Sequence, residues 1–550
     1  MSSRLTIDGV ATEAAVGRSV FEAAEAAGVA IPTSCRKNGR CKECVVQVLE
    51  GMDALTSPAP EEGHLHGDFR LSCCARIVRD DQEIRCHTLK RGTMRIERHA
   101  FALPVAADRW QPDPAVTRDG DRVLLDGEEI ARGSGPLHGL AVDIGTTTVV
   151  MRVLNLETGE VVADASFENP QRFGGSDVMA RIQFDTVDRT RILQRTLAGY
   201  MGRAIQDLPV DPQSIYEVVI AGNSTMRDLF FKLSVHPIGQ SPYQSQTELD
   251  LADGKRTTTS LSESAARLGL PVHPKARVYG LPVISGHVGA DAAACMLAID
   301  LANEERTVAL MDIGTNTELI IGNRHRILAA SCPAGPAFEG GQITFGMPAL
   351  PGAIEKVTIG TDGHPSVTVI GDQPAEGICG SGLVDLLSEL RRTGYMNSLG
   401  RFEDGSGEFT VSPGRERPIT FSEADVNALA QAKGANVAGL RIVVGEFGIP
   451  FSGVDVFYLA GGFGRHLNVE SSKRIGLIPN LDDARIVQIG NASVEGACIA
   501  LLSRTRRAGL EALVRRATHC RLETHPGFFD VFVEGCQFNP VDATADRPLA

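Results

Sequence analysis

Two groups of residues in this 550-residue chain could do chemistry, and cysteines form the first. Five of the twelve cysteines lie between Cys35 and Cys74: Cys35-Arg-Lys-Asn-Gly-Arg-Cys41-Lys-Glu-Cys44, then Arg70-Leu-Ser-Cys73-Cys74. Three thiolates from one loop and a fourth from afar is the arrangement that holds a [2Fe–2S] cluster. The spacing C-x5-C-x2-C differs from a known one, C-x4-C-x2-C…C, by one loop residue. Gly39 and its polar neighbours suit a loop wrapped round inorganic sulfide, which needs backbone N–H donors. A structural zinc site fits less well, because zinc sites usually pair two C-x2-4-C knuckles and the second half here offers only adjacent cysteines. Side chains alternate along a strand, so one of Cys73 and Cys74 is expected to be a ligand and not both. His64 and His66 in the intervening loop would suit a mixed Cys/His cluster, but the cysteines already suffice. Cys86 reads as a buried strand residue.

The second group is a duplication. Ala141-Val-Asp-Ile-Gly-Thr-Thr-Thr148-Val-Val recurs, offset by 169 residues, as Leu310-Met-Asp-Ile-Gly-Thr-Asn-Thr317-Glu-Leu. Each copy is an apolar strand ending in Asp, a Gly that permits a tight turn, and hydroxyl-bearing residues that open a second strand. Such a hairpin aims N–H groups and Thr hydroxyls at a phosphate, while the Asp can hold Mg²⁺ through water. Two of them face to face would clamp a triphosphate. A third Gly-rich element, Val456-Phe-Tyr-Leu-Ala-Gly461-Gly462-Phe-Gly464, follows another short apolar strand and would let backbone approach a ligand closely. Neither a P-loop nor a Rossmann fingerprint is present.

The elements that must position these residues are legible in outline. Arg4 to Ile7 reads as a strand, Asp8-Gly9 as a hairpin turn, Ser19-Val-Phe-Glu22 as a capping box opening a helix through Ala27, and Val45 to Leu49 as a strand. From Arg91 to about Gly139 prolines interrupt the pattern, and the turns Asp119-Gly120 and Asp126-Gly127 flank the short run Val123 to Leu125, so a linker with one hairpin is expected. Val149 to Leu154 and Glu318 to Ile321 complete the two hairpins. Asn223 is expected to cap a helix running to Leu233, and Gly286-His-Val-Gly-Ala-Asp291 and the Glu495 segment to open small-residue helices. Hydrophobic residues make up 43% and charged residues 22%, which excludes disorder and coiled coil. The net charge of −14 argues against a nucleic-acid binder. No apolar run of about 18 residues suggests a membrane span, and MSSRLTIDGV lacks an export h-region, so a cytoplasmic protein is expected.

The motifs also carry a resemblance. C-x5-C-x2-C followed by Arg70-Leu71-Ser72-Cys73 resembles the adrenodoxin-type ferredoxins with their β-grasp fold, which implies Cys35, Cys41, Cys44 and Cys73 as the ligands. The paired D-I-G-T-x-T hairpins and the A-G-G-F-G element resemble the phosphate and adenosine motifs of the acetate kinase, sugar kinase, heat-shock protein and actin (ASKHA) superfamily. Asn169-Pro-Gln171, Gly175-Ser-Asp177, Gly222-Asn-Ser-Thr-Met226, Gly335-Pro-Ala-Phe-Glu-Gly340, Cys379-Gly-Ser-Gly382 and Asn491-Ala-Ser-Val-Glu-Gly496 narrow it. With the cysteine loop they resemble the reductive activators of corrinoid proteins.

That resemblance implies a multidomain α/β and α+β chain: a [2Fe–2S] ferredoxin-like domain at 1–90, a linker at 91–138, and a two-lobed actin-like ATPase domain at 139–550. Its lobes would span about 139–305 and 306–490, with a C-terminal return from about 491. ATP would sit between the lobes, with Gly145, Thr146, Thr147 and Thr148 in the first hairpin, Gly314, Thr315, Asn316 and Thr317 in the second, Glu339 lining the nucleotide, and Gly461 and Gly462 facing the adenosine. Asp143 and Asp312 would hold Mg²⁺-bound water and position the hydrolytic water. The expected activity is one-electron reduction, through the [2Fe–2S] cluster and coupled to ATP hydrolysis, of the corrinoid protein of a methyltransferase system from Co(II) to Co(I). The partners implied are that corrinoid protein, a low-potential electron donor and a second copy of the chain; nucleic acid and membrane are not expected. The rival readings are a small-molecule kinase with a redox-sensing ferredoxin domain and an ATP-independent electron carrier. Cys295, Cys332, Cys379, Cys498, Cys520 and Cys536 share no site-like spacing and are expected to form no cluster.

Overall fold

The computed structural model describes residues 2–31, 33, 35, 37–89, 112–188, 190–414, 417–462 and 464–543. The expected linker from 91 to 111 therefore lies outside the described residues, as does Phe463 in the third Gly-rich element.

Strands β1 (Ser2–Ile7) and β2 (Val10–Ala15) turn at Asp8 and Gly9, both at positive φ (50° and 81°), as a tight hairpin requires. Helix α1 (Val20–Ala26) begins at the expected capping box: Ser19 accepts from the Glu22 N–H, and Glu22 accepts in return from the Ser19 N–H at 2.9 Å. Strands β3 (Val45–Glu50), β4 (Phe69–Leu71) and β5 (Ile84–Thr88) complete a sheet of order β2-β1-β5-β3-β4, with β1 and β5 parallel. Hairpin, helix and a parallel return strand make this a β-grasp domain.

The described part of the linker carries more than one hairpin. Strands β6 (Val116–Asp119), β7 (Arg122–Leu125) and β8 (Glu128–Arg132) form a three-stranded antiparallel sheet. The third strand exists because Asp126-Gly127 makes a second tight turn, both residues at positive φ.

Two six-stranded sheets follow. The first contains β9 (His138–Ile144), β10 (Thr148–Asn155), β11 (Val161–Glu168), β12 (Ile215–Gly222), β13 (Leu261–Ser264) and β14 (Arg277–Gly280), in the order β11-β10-β9-β12-β14-β13. In the second half, β15 (Val308–Ile313), β16 (Thr317–Gly322) and β17 (Ile327–Cys332) precede a small sheet of β18 (Ala353–Ile359), β19 (Pro365–Val369) and β20 (Gly377–Ile378) and a hairpin of β21 (Glu408–Ser412) and β22 (Ile419–Ser422). Strands β23 (Val456–Ala460), β24 (Ile486–Gly490) and β25 (Ala517–His519) then complete a sheet of order β24-β23-β15-β16-β17-β25. Both sheets are thus an antiparallel three-strand meander whose first strand pairs in parallel with a fourth, and that with a fifth. The duplicated motif seen in sequence is the first turn of a duplicated fold.

Between the sheets lie the helices Ala290–Ala298 and Ala492–Leu502, nearly all of whose residues are buried in one shared core. Their small residues let the backbones nearly touch: a Cβ on Gly496 would sit 2.0 Å from the Ala294 carbonyl oxygen. Among the described residues no helix is long and apolar enough to cross a membrane.

Candidate functional site

The cysteine loop curls because Lys37, Gly39 and Lys42 all take positive φ, which points successive N–H groups inward. Burial opposes ionisation of Cys35, yet the N–H groups of Cys41, Asn38 and Arg40 aimed at its sulfur bring the thiol down to about 7. The second half is locked by a buried ion pair. Arg70 meets both Glu62 carboxylate oxygens at 2.8 and 3.1 Å, and Glu62 also accepts from the Leu71 N–H at 2.8 Å. Ser72 then donates twice to the Cys44 carbonyl, at 2.8 and 2.9 Å, which places the Cys44 and Cys73 sulfurs 3.2 Å apart. The hydrogen bond that Cys44 donates to the Cys73 sulfur, together with burial, pushes the Cys44 thiol far up. Four thiols and several inward N–H groups are the donor set that a [2Fe–2S] cluster takes.

One premise of the sequence reading needs correction. Strand β4 ends at Leu71, and Ser72 to Cys74 form a turn closed by the Cys74 N–H on the Leu71 carbonyl. Strand alternation therefore does not separate the two cysteines, whose sulfurs lie 3.8 Å apart. What distinguishes Cys73 is its contact with Cys44, whereas the Cys74 sulfur lies against Gly39. His64 packs edge-on against Phe173 at 6.1 Å, and Cys86 is a buried strand residue.

The second site is a cavity between the two six-stranded sheets, lined by both hairpins. Asp143, Gly145, Thr146, Thr147, Thr148, Asp312, Gly314, Thr315, Asn316, Glu339, Gly461 and Gly462 all border it. Gly145 is required by the turn, since a Cβ there would lie 2.7 Å from the Thr148 carbonyl oxygen. Gly461 takes φ +111°, and a Cβ would strike the Ile313 carbonyl at 2.4 Å; Gly462 faces open space. Glu339 bridges the hairpins: its carboxylate accepts from Thr147 at 2.9 Å and from Thr315, and the two hydroxyls lie 2.7 Å apart. Burial pushes the Glu339 carboxyl up.

Thr317 is the expected site residue that does not border the cavity, and its fully buried hydroxyl has no hydrogen-bond partner among the described residues. The reason is register. In the first hairpin Val149 pairs with Ile144, leaving four loop residues, but in the second Thr317 pairs with Ile313, leaving three. A one-residue slip exchanges the faces of a strand. Thr148, Val150 and Arg152 therefore face the cavity in one copy, and Asn316 and Glu318 in the other.

Several groups in the cavity were not singled out as site residues from sequence. Asp143 accepts from Ser493 at 2.9 Å and from Asn491 at 3.1 Å, and burial raises its carboxyl. Asp312 accepts from the Cys295 thiol at 3.3 Å; burial and the Asp143 charge push it up to about 7. Asp291, at the start of the small-residue helix, is pushed up to about 8 by burial and Asp143, and Glu318 is raised well above the carboxylate range. Arg152 holds Asp164 at 2.7 Å and also Glu495. Asn223 does cap its helix, accepting from Met226 at 2.9 Å, but its amide also donates to Thr146 at 3.0 Å, and the helix α4 (Ser224–Phe230) stops short of Leu233. The Asn491 and Ser493 signal lay in their spacing around a helix start; nothing local in Asp291 or Glu318 separates them from ordinary helix and strand residues.

Comparison with known proteins agrees with this geometry. Residues 5–78 match a 2Fe-2S iron-sulfur cluster binding domain, 138–304 the RACo middle region, and 306–546 the C-terminal domain of RACo, the ASKHA domain. A solved structure titled reductive activator for corrinoid, iron-sulfur protein is 27% identical and covers 98% of both chains with a TM-score of 0.72. The chain belongs to the reductive activators of corrinoid proteins. Within the family, the corrinoid activation enzyme RamQ of Eubacterium limosum is 28% identical over 93% of this chain and 94% of its own. A reductase of Methanosarcina barkeri that is named for Co(II) methylated amine-specific corrinoid protein is 24% identical, over 72% of this chain and 76% of its own. For this activator, then, the β-grasp domain is a [2Fe–2S] domain and the two sheets are the ASKHA fold.

Proposed function

We propose that this activator couples ATP hydrolysis to one-electron reduction of a partner protein's corrinoid, taking Co(II) to Co(I). The observation that carries the reading is the pairing, in one chain, of two facing phosphate hairpins with a ferredoxin-type cysteine loop. We assign Cys35, Cys41, Cys44 and Cys73 as the cluster ligands; the bound cluster supplies a one-electron carrier, which in ferredoxins of related spacing works near about −400 mV. Each ~59 mV that an electron climbs costs a factor of ten in equilibrium constant, so reduction of a lower-potential cobalt needs a bias. ATP supplies one only by binding two states of the chain unequally.

The cleft residues suit that task. Gly145 and Gly314 stand in turns that border the cavity, and Thr146, Thr147, Thr148 and Thr315 line the same space. Asp143 and Asp312, with Asp291 and Glu318 beside them, form a buried acidic wall whose carboxyls are raised by burial and, for Asp312, Asp291 and Glu318, by the neighbouring carboxylates. A divalent cation restores their charge, so we assign Mg²⁺ to Asp143 and Asp312. Either carboxylate can then orient the water that attacks the γ-phosphoryl group, releasing ADP and phosphate. A cytoplasmic setting, a low-potential protein donor and a homodimer complete the reading. The setting suits a chain of free thiols, the donor must lie below the cluster in potential, and the dimer rests on family resemblance.

An anaerobic visible spectrum tests it. The reduced protein is mixed with a Co(II) corrinoid protein and Mg-ATP, a non-hydrolysable analogue or no nucleotide. Co(I) appearing only with hydrolysable ATP is the expected result. Equal Co(I) in all three mixtures reduces the ASKHA part to a scaffold, and Co(I) in none, with cluster and partner competent, turns the reading towards a kinase.

A further inference from the structure

The ferredoxin domain and lobe one share one continuous apolar core, which runs from Leu5, Val45 and Leu71 to Phe167, Leu193 and Tyr200. We propose that α3 (Ile192–Asp207) and the turn Pro170–Gly174 form the docking face for the chain's own ferredoxin domain. Within it, Asn169 and Arg195 are positioning residues that tie the first phosphate hairpin to the cysteine loop. The inference rests on the reading that nucleotide binds at that hairpin.

The connection can be followed bond by bond. Asn169 donates its backbone N–H to the Thr147 carbonyl at 2.7 Å and its side-chain amide to the Gly145 carbonyl at 2.8 Å, so it reports the shape of the hairpin backbone. Two residues on, Gln171 donates to the Leu193 carbonyl at 3.2 Å, and Gly174 lies so close to Leu193 that a Cβ would meet its Cδ2 at 2.6 Å. Arg181, fully buried, donates to the Gly175 carbonyl at 3.0 Å and to the Gln171 side chain at 3.4 Å, which makes the turn a rigid piece.

On the far side, Arg195 donates to the carbonyl of Cys41 at 3.2 Å. Gly199, one turn later on the same face of α3, leaves room for Glu43. Phe173 of the turn meets the His64 ring, and Phe167 meets Tyr200, at 6.1 and 6.3 Å. The chain of contacts from Gly145 to Cys41 runs through the Asn169 and Gln171 amides and the Arg195 guanidinium, braced by Arg181 and by packed rings. A displacement of the hairpin on binding phosphate is therefore carried to the loop that holds three of the four cluster cysteines.

Hydrogen–deuterium exchange of the full, cluster-loaded chain tests this, with and without the magnesium complex of a non-hydrolysable ATP analogue. In the unmodified protein the analogue is expected to alter exchange both at 143–148 and at 38–47. In Arg195→Gln, a substitution on an exposed side chain, the response at 143–148 persists and that at 38–47 is lost. Phe173→Leu, which keeps an apolar side chain at the contact, gives the same split and guards against a fault peculiar to one variant. A cluster-loop response undiminished in both variants overturns the proposal, as does a parent protein that responds at 143–148 alone. No response at 143–148 in the parent overturns the nucleotide assignment itself.

Discussion

The two phosphate hairpins begin from almost the same sequence and end with different duties. Each is the first turn of an antiparallel meander, and each meander is followed by a short turn opened by proline, Pro170–Gly174 in lobe one and Pro336–Glu339 in lobe two. Both turns bond back to their own hairpin, Asn169 to the Thr147 carbonyl and Gly335 to that of Thr315 at 2.8 Å. There the likeness stops. The lobe-one turn faces away from the cleft towards the ferredoxin domain, whereas the lobe-two turn sends Glu339 across the cleft to Thr147. The difference of one residue in hairpin register, and of one turn in what it touches, separates an electron-carrier side from a nucleotide-closing side. Look-alike residues must be told apart by their partners.

The largest effect is expected where sequence makes two residues adjacent and structure makes them unequal. Cys73→Ala should abolish the visible and paramagnetic signals of the reduced [2Fe–2S] cluster, while Cys74→Ala should keep them. The opposite pattern, which the shared turn makes geometrically conceivable, would move the fourth ligand to Cys74. Next come the paired aspartates. Either Asp143→Asn or Asp312→Asn should cut ATP hydrolysis by about 10²–10³, the usual loss when one preorganised charge is removed from a transition state. Their effects on folding should differ in sign. Asp143→Asn brings an amide against the Asn491 amide and should destabilise by about 1–3 kcal/mol. Asp312→Asn removes a carboxyl whose charge burial and Asp143 disfavour and which meets the Cys295 thiol, and should leave stability unchanged or raised. Denaturant melts of the two variants without nucleotide decide this, and equal losses would erase the distinction drawn between the hairpins.

How much of this could be read beforehand follows from the same contrasts. The β-grasp hairpin, the capping box and both D-I-G-T turns were legible because Gly, Thr, Asp and Ser act within a few residues of themselves. The register slip was not, since it is fixed by which strand residues pair and not by the loop composition, and so Thr317 looked equivalent to Thr148. Asp291, Glu318, Asn491 and Ser493 reach the cavity from segments far apart in sequence, and only the meeting of two sheets and two helices brings them there. Strand alternation does not separate Cys73 from Cys74, and the reason is local: β4 is three residues long and the chain turns at Ser72 to Cys74. The choice of His64 as a bystander to the cluster left its contact with Phe173 invisible, because that contact crosses between domains.

His64 provides a smaller test, one that acts on the lobe-one side alone. Burial, then the Lys42 charge, lowers its imidazole to about 4, against opposing influence from Asp188, Glu61 and Glu62. The folded state thus holds the ring neutral while the unfolded chain, near 6.5, takes up a proton. Its stabilising contribution is complete above about pH 6.5 and is lost as pH falls towards 4. By pH 5 the loss should be about 1–2 kcal/mol after allowance for partial exposure, read as a falling melting temperature of the ferredoxin domain. His64→Leu should flatten that slope; a slope unchanged by the substitution would assign the acid sensitivity to other groups.

The smallest effect bears most directly on the register. Thr148 and Thr317 are the matching residues of the duplicated motif, yet of the two only Thr148 borders the cavity, and the Thr317 hydroxyl is buried without a partner among the described residues. A buried, unpaired hydroxyl costs free energy, so Thr317→Val, which keeps the shape, should raise stability by up to ~1 kcal/mol and leave ATP affinity unchanged. Thr148→Val should do the reverse, leaving stability nearly constant and weakening ATP binding several-fold, as loss of one hydrogen bond of about 1 kcal/mol implies. Calorimetric titration with Mg-ATP analogue and a thermal melt of each variant give both numbers. If both substitutions weaken binding alike, the two hairpins share one register in solution, and the four-residue and three-residue loops cannot both be right.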